Sequence, residues 1–211
     1  MLKINFLGDS ITEGALASSQ ENTFVSLVGK YLNCEVRNYG IGGSRIARQK
    51  SHSADPRWDL DFVGRVDAMN PDADLVFVFG GTNDYGHGDA PMGNIEDSSV
   101  YTFYGAMNVL IDKLIEKYNK EKLVFLIPLY RENENNPYGD GTALTPRLPL
   151  SEYRKAMVEV LTNRKITILD FKDEIGKPEG NPLIQDGLHP NDEGHKKLAV
   201  LICDFIKQYV R

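Results

Sequence analysis

The hydrophobic positions of this chain fall into two patterns that take turns from one end to the other. Short apolar runs of strand length stand at Lys3 to Leu7, Cys34 to Tyr39, Leu75 to Phe79, Lys122 to Ile127 and Ile166 to Leu169. The third run, Leu75-Val76-Phe77-Val78-Phe79, has no polar alternation, as expected of a strand covered on both faces. Between the runs, apolar residues recur at i, i+3, i+4 and i+7, the stripe of a helix lying on a sheet. Phe24, Leu27, Val28, Tyr31 and Leu32 form the first stripe, with Asn22 as its expected cap. Phe62 to Met69 reads as a second helix, ending before Pro71. Met107, Leu110, Ile111, Leu114, Ile115 and Tyr118 mark a third, and Tyr153, Met157, Val160 and Leu161 a fourth. The last, after Asn191, carries Leu198, Leu201, Ile202, Phe205 and Ile206, with Asp192 and Glu193 in the first turn, where they suit the helix dipole.

Strands that alternate with helices imply a parallel sheet covered on both sides. The expected class is α/β, a three-layer α/β/α sandwich with a flavodoxin-like five-stranded parallel sheet. A length of 211 residues suits one domain, 1–211. Three irregular stretches, Arg45 to Asp61, Tyr85 to Ser99 and Leu129 to Leu150, follow the second, third and fourth strands. In such sheets the rim at the carboxyl ends of the strands is where ligands bind, and long loops in a small domain are usually functional.

Composition narrows the partners. A hydrophobic fraction of 41% and a charged fraction of 26% are ordinary for a water-soluble domain. The net charge of -6 and the lack of a clustered basic face argue against nucleic acid. Cys34 and Cys203, far apart within apolar patterns, read as buried free thiols. No apolar run reaches the length of a membrane span. The chain enters its first strand directly after Met1, which leaves no room for a leader and gives a cytoplasmic expectation.

The rim carries the candidate chemistry. Gly8-Asp9-Ser10 would place a serine hydroxyl at the end of the first strand as a nucleophile; the bland alternative is that Ser10 caps the next helix. In Asp186-Gly187-Leu188-His189 the spacing lets a carboxylate accept a hydrogen bond from the imidazole, leaving the other ring nitrogen free to take a proton from a serine. By itself that pair fits a structural contact or half a metal site equally well. Acyl transfer also needs donors aimed at a developing oxyanion: the Ser10 N–H, an N–H of the Gly42-Gly43 turn and the Asn83 amide can supply three. Taken one at a time, the glycines only turn the chain and Asn83 only caps a loop. Four such motifs on four rim loops are hard to explain as coincidence.

Together these blocks resemble the SGNH hydrolases, the GDSL-type esterases and lipases. Gly8-Asp9-Ser10-Ile11 matches the first block, with Ile in place of Leu. Asn38-x-Gly40-x-Gly42-Gly43 resembles the second, Gly81-Thr82-Asn83-Asp84 the third and Asp186-x-x-His189 the fifth. The resemblance implies the SGNH hydrolase fold and hydrolysis of a small-molecule ester through a serine acyl-enzyme, with neither metal nor organic cofactor. It implies Ser10, Asp186 and His189 as the triad, and Ser10, Gly43 and Asn83 around the oxyanion.

Asp9 is expected to orient the nucleophile turn and Asp84 to brace the loop of Asn83. Asp9, Trp58, Tyr85, His87, Tyr130 and Arg131 are candidates to touch substrate, while His195, beside Lys196 and Lys197, is expected on the surface. The polar, aromatic loops point to a short-acyl ester of a polar alcohol, such as an O-acetylated carbohydrate. The alternative is a lysophospholipid or thioester whose anionic group meets Arg45, Arg48 and Arg57. A metal site on Asp9, Asp186 and His189, or a sugar- or ester-binding module without turnover, are the remaining rivals. There is no Gly-x-Ser-x-Gly elbow and no phosphate-binding loop.

Overall fold

Five parallel strands form one sheet in the order β2-β1-β3-β4-β5, in a computed structural model that describes residues 1–143 and 146–209. They are β1 (Lys3–Gly8), β2 (Glu35–Gly40), β3 (Leu75–Phe79), β4 (Leu123–Leu126) and β5 (Thr167–Leu169), within a residue or two of the five apolar runs. Gly8 pairs with Gly40 on one side and Phe79 on the other. Three strands therefore end level, and the loops after them leave the rim side by side.

Side chains alternate across the sheet and meet a helical layer on each face. The helices are α1 (Ser10–Glu13), α2 (Phe24–Leu32), α3 (Phe62–Arg65), α4 (Thr82–His87), α5 (Phe103–Tyr118), α6 (Leu150–Arg164), α7 (Lys172–Ile175) and α8 (Asp192–Tyr209). Phe6, Phe77 and Leu126 pack with Phe24 of α2 and Leu198 and Ile202 of α8. Leu7, Val76 and Phe125 pack on the other face with Phe62, Met107, Leu110 and Met157 from α3, α5 and α6. Phe6 stacks on Phe77 at 5.1 Å between centroids, and both are buried. Truncating either to Ala would cost about 3–5 kcal/mol. No helix among the described residues is long and apolar enough to cross a membrane.

Four local expectations are corrected. The cap of α2 is Thr23, whose hydroxyl accepts the Ser26 N–H; Asn22 instead donates to Ser18 and Asp192. The polar run after β3 does not open into a loop at Tyr85 but continues as α4 through His87, because Asn83, Asp84 and Tyr85 are buried and tied to neighbouring segments. Cys34 is only half-buried, whereas Cys203 is buried; both are free thiols. His195 is fully buried. It lies at i−3 and i−7 from Leu198 and Ile202, on the face of α8 that meets the core, and its Nε2 donates to the Ala15 carbonyl at 3.1 Å while Nδ1 accepts the Phe24 N–H at 3.3 Å. Within the long loop after β4, residues 144 and 145 lie outside the described residues.

Candidate active site

The first strand delivers Ser10 through a turn that tolerates no bulk. A Cβ at Gly8 would lie 1.9 Å from Thr12 Oγ1, so the chain folds into α1 at once. Asp9 is the cap, its carboxylate accepting the Ile11 N–H at 3.0 Å, as expected of the residue that orients the turn. Burial pushes this carboxyl up to about 6, against the pull of the Ile11 bond and of His189 and Arg65. Ser10 opens α1, so its own N–H has no acceptor within the helix.

His189 reaches the same place from a segment far along the sequence. Asp186 folds its segment back on itself: Oδ1 accepts the N–H groups of Leu188 and His189 at 3.0 and 2.7 Å, and Oδ2 accepts from His189 Nδ1 at 2.7 Å. Burial acts to raise the Asp186 pKa, but the bonds from His189 and Leu188 prevail and hold it below the usual carboxylate range. An ionised carboxylate only accepts, so Nδ1 carries the proton and Nε2 is left with its lone pair. That nitrogen lies 2.8 Å from Ser10 Oγ. The bond joins residues 179 positions apart.

Two further loops supply donors. Gly43 has φ +74, and a Cβ on it would fall 2.1 Å from the Trp58 indole; only glycine fits between the turn and that ring. Asn83, in the first turn of α4, donates from Nδ2 to the Ser44 carbonyl at 3.0 Å, which fixes the amide and leaves one N–H uncommitted in that bond. Next to it, the buried Asp84 carboxylate accepts the N–H groups of Ile46 and Ala47 at 2.9 and 2.8 Å, so it ties the Asn83 helix to the segment after Gly43. Burial pushes this carboxyl up to about 6. The expected triad residues are thus brought together, with the expected donors on adjoining loops. A hydroxyl, a base with a fixed tautomer and N–H donors are the parts that acyl transfer needs.

Sequence reasoning missed two residues of this assembly. The Arg65 guanidinium donates to the carbonyls of Tyr39 and Gly8 at 2.6 and 3.0 Å and to Ser44 Oγ at 2.9 Å. It knots the ends of β1 and β2 to the donor loop, and burial drags its pKa down to about 10. Glu13, in the last position of α1, accepts the Gly42 N–H at 2.7 Å. A lone arginine on a helix and a glutamate after a serine carry no periodic signal.

A cleft of about 840 Å³ opens beyond Trp58 and His87. These two rings stand 4.5 Å apart, and Trp58, which lines the cleft, also covers Gly43, while Ser10, Gly43, Asn83 and His189 themselves lie outside the lining. Arg45 Nη1 lies 3.2 Å from His87 Nδ1; a guanidinium only donates, so Nδ1 accepts and the proton sits on Nε2. Burial, with Arg45 beside it, pushes His87 down to about 4, so the ring is neutral. Gln49, Ser53 and Thr142 add hydrogen-bonding groups, and Pro91, Met92 and Leu148 add apolar surface.

The other candidates for substrate contact lie elsewhere. Tyr85 is buried under the long loop, its hydroxyl donating to the carbonyls of Asn133 and Asn136. Arg131 is also buried, paired with Asp140 and laid over the Tyr85 ring at 5.5 Å. Tyr130 donates to Asp173 at 2.9 Å and sits among Arg154, Lys172 and Lys177, beside a separate pocket of about 290 Å³. Asp9 serves the turn. The three arginines expected to meet an anion are engaged: Arg45 with Asp59, Arg48 with Asp61 and Arg57 with Glu13. Among the described residues no group of three or more His, Cys, Asp or Glu is placed to hold a metal ion, Asp9, Asp186 and His189 included.

Residues 6–197 match the sequence profile described as the GDSL-like Lipase/Acylhydrolase family. Among curated proteins nothing matches the chain. Among solved structures, a protein from Lactobacillus plantarum is 26% identical with a TM-score of 0.80, covering 98% of this chain and 97% of its own. A lipase/acylhydrolase from Enterococcus faecalis is 24% identical, with a TM-score of 0.68 over 99% of this chain and 96% of that one. A carbohydrate acetylesterase from Sinorhizobium meliloti shares the fold at 17% identity, with a TM-score of 0.71 and 99% of each chain covered.

Proposed function

Since the chain belongs to the GDSL-like lipase/acylhydrolase family and is an ester hydrolase, we propose that it cleaves short-acyl esters of polar alcohols, O-acetylated carbohydrates first among them, through a Ser10 acyl-enzyme. The observation that carries this reading is the 2.8 Å contact between Ser10 Oγ and His189 Nε2, with Asp186 on the far side of the ring. Ser10 Oγ attacks the ester carbonyl carbon as its proton passes to Nε2. The N–H groups of Ser10 and Gly43 and the Asn83 amide receive the negative oxygen. The C–O bond to the alcohol then breaks, and the imidazolium returns its proton to the departing oxygen. Water repeats the sequence on the acyl-enzyme, its proton going to Nε2 and then to Ser10 as the acid leaves.

The cleft supports the polar alcohol. Trp58 offers a flat face, His87 a neutral N–H donor and Thr142 a further polar contact, while Gln49 and Ser53 line the wall already bonded to Ala47, Asp89, Arg45 and Asp59. The Arg45 guanidinium is balanced by Asp59, which weighs against lysophospholipid or acyl-CoA substrates held through that residue. Pro91, Met92 and Leu148 favour a second reading, in which the cleft takes a longer acyl chain.

Fluorophosphonate labelling tests the mechanism: the adduct belongs on Ser10, and a folded Ser10→Ala variant loses both label and turnover. Undiminished turnover by that variant rejects the nucleophile, and a serine that resists the label points to a binding module. Comparing p-nitrophenyl acetate with the octanoate and palmitate, beside acetylated sugars, separates the two substrate readings. Preference for the longest chain rejects the sugar ester.

A further inference from the structure

The carboxylate of Glu13 is shared between two loops of the site. It stands one helical turn after Ser10, and Oε2 accepts the Gly42 N–H at 2.7 Å while Oε1 pairs with Arg57. The backbone is equally close: a Cβ at Gly40 would lie 2.1 Å from the Glu13 nitrogen, and the Asn38 amide donates to the Thr12 carbonyl at 2.7 Å. The Gly40–Gly43 turn thus rides on α1. The turn is closed at its ends by the Ile41 N–H on the Gly8 carbonyl and by the Ser44 N–H and hydroxyl on the Ile41 carbonyl; between them, the two glycines at 42 and 43 have no side chains to anchor them, and the Gly42 N–H next to Gly43 is held by the Glu13 carboxylate. Trp58, the neighbour of Arg57, closes the turn from the other side by lying over Gly43. Of the two contacts, the Arg57 pair is half-exposed and such pairs contribute little. A charged acceptor on a backbone N–H is the stronger bond.

We propose that Glu13 is a positioning residue that keeps the Gly43 N–H in register with the Ser10 hydroxyl, so that nucleophile and oxyanion donor move as one body. The proposal rests on the acyl-enzyme reading above. Glu13 touches neither substrate nor the reacting atoms in this role; it acts through Gly42.

Steady-state hydrolysis of p-nitrophenyl acetate by Glu13→Ala, Glu13→Gln and Gly42→Ala tests it. Glu13→Ala is expected to lower kcat roughly ten- to a hundredfold with KM unchanged, the scale of a misplaced catalytic group. Glu13→Gln retains most of kcat, because its amide oxygen still accepts the Gly42 N–H although the charge facing Arg57 is gone. In Gly42→Ala the new Cβ would stand 2.8 Å from Oε2 and pushes the carboxylate aside; kcat falls as in Glu13→Ala. Combining the two adds no further loss, the mark of one shared contact. A folded Glu13→Ala or Gly42→Ala with full kcat overturns the proposal, as does Glu13→Gln as slow as Glu13→Ala, or a loss confined to KM. Should Glu13→Ala not fold, the other two variants read the same contrast. Fluorophosphonate labelling of the unsubstituted enzyme separates the two claims: labelled, active protein with insensitive Glu13 and Gly42 variants rejects the brace alone, and an unreactive Ser10 rejects both.

Discussion

The side-chain amide of Asn83 donates to the carbonyl oxygen of Ser44 at 3.0 Å, so a donor carried by the loop after β3 is oriented by the loop after β2. Asn83→Ala is expected to reduce kcat by roughly a hundred- to a thousandfold. It also leaves the buried Ser44 carbonyl without that donor, at about 1–3 kcal/mol of stability. Asn83→Asp, equal in size but unable to donate, lowers kcat as far. Turnover and urea unfolding of both variants check this.

Asp186 performs two tasks with two oxygens, and Asn separates them. In Asp186→Asn the side-chain oxygen can still accept the backbone N–H groups of Leu188 and His189, so the loop stays folded. The nitrogen now facing Nδ1 cannot accept its proton, and the ring takes the wrong tautomer. A loss of kcat on the order of 10⁴ is expected, with far-UV circular dichroism unchanged. Turnover near that of the unsubstituted enzyme would remove Asp186 from the mechanism.

His195 sets a pH dependence of stability. Burial lowers its pKa in the folded protein, against the Ala15 bond and the charge of Asp192. The unfolded chain therefore takes up a proton below the ordinary histidine value of about 6.5 that the folded chain refuses. Since the unfolded state binds more protons there, stability is full above that value and is lost as pH falls through it. Urea midpoints at pH 7 and pH 5 should drop further for the unsubstituted protein than for His195→Gln. Equal drops in the two would mean that the ring takes its proton in the folded state as well.

Trp58 tests the cleft. Trp58→Ala removes the face that covers Gly43 and the partner of His87, contacts of a kind that contribute about 0.5–1.5 kcal/mol beyond area burial. KM for acetylated sugars is expected to rise several-fold, and KM for p-nitrophenyl acetate to move less. An equal rise in KM for both would place the alcohol outside the cleft, whereas a shared fall in kcat would report only the loss of cover over Gly43.

What the sequence disclosed of this site was local in the chain. The turn at Ser10 and the spacing from Asp186 to His189 are decided within a few residues, and each strand run stops at its rim loop. Features made by distant partners stayed hidden. Tyr85 and Arg131 look like loop residues open to substrate, yet each is buried by the other and by the chain around Asn133 to Asp140. The arginines after Gly43 look like anion ligands until Asp59, Asp61 and Glu13 meet them. His195 was legible in principle, because its spacing to Leu198 and Ile202 puts it on the buried stripe; its neighbours Lys196 and Lys197 pointed the other way.

The start of α8 is stapled to the segment that follows Ser10. Asp192 accepts from the Ser18 N–H and hydroxyl at 2.7 and 2.6 Å, and His195 spans Ala15 and Phe24. His189 stands three residues before those staples, so its ring reaches Ser10 only when the two extremities of the polypeptide have docked. Contacts this remote in sequence form slowly. Hydrolysis through His189 therefore requires both regions to be docked, and in refolding it cannot return before that contact has formed.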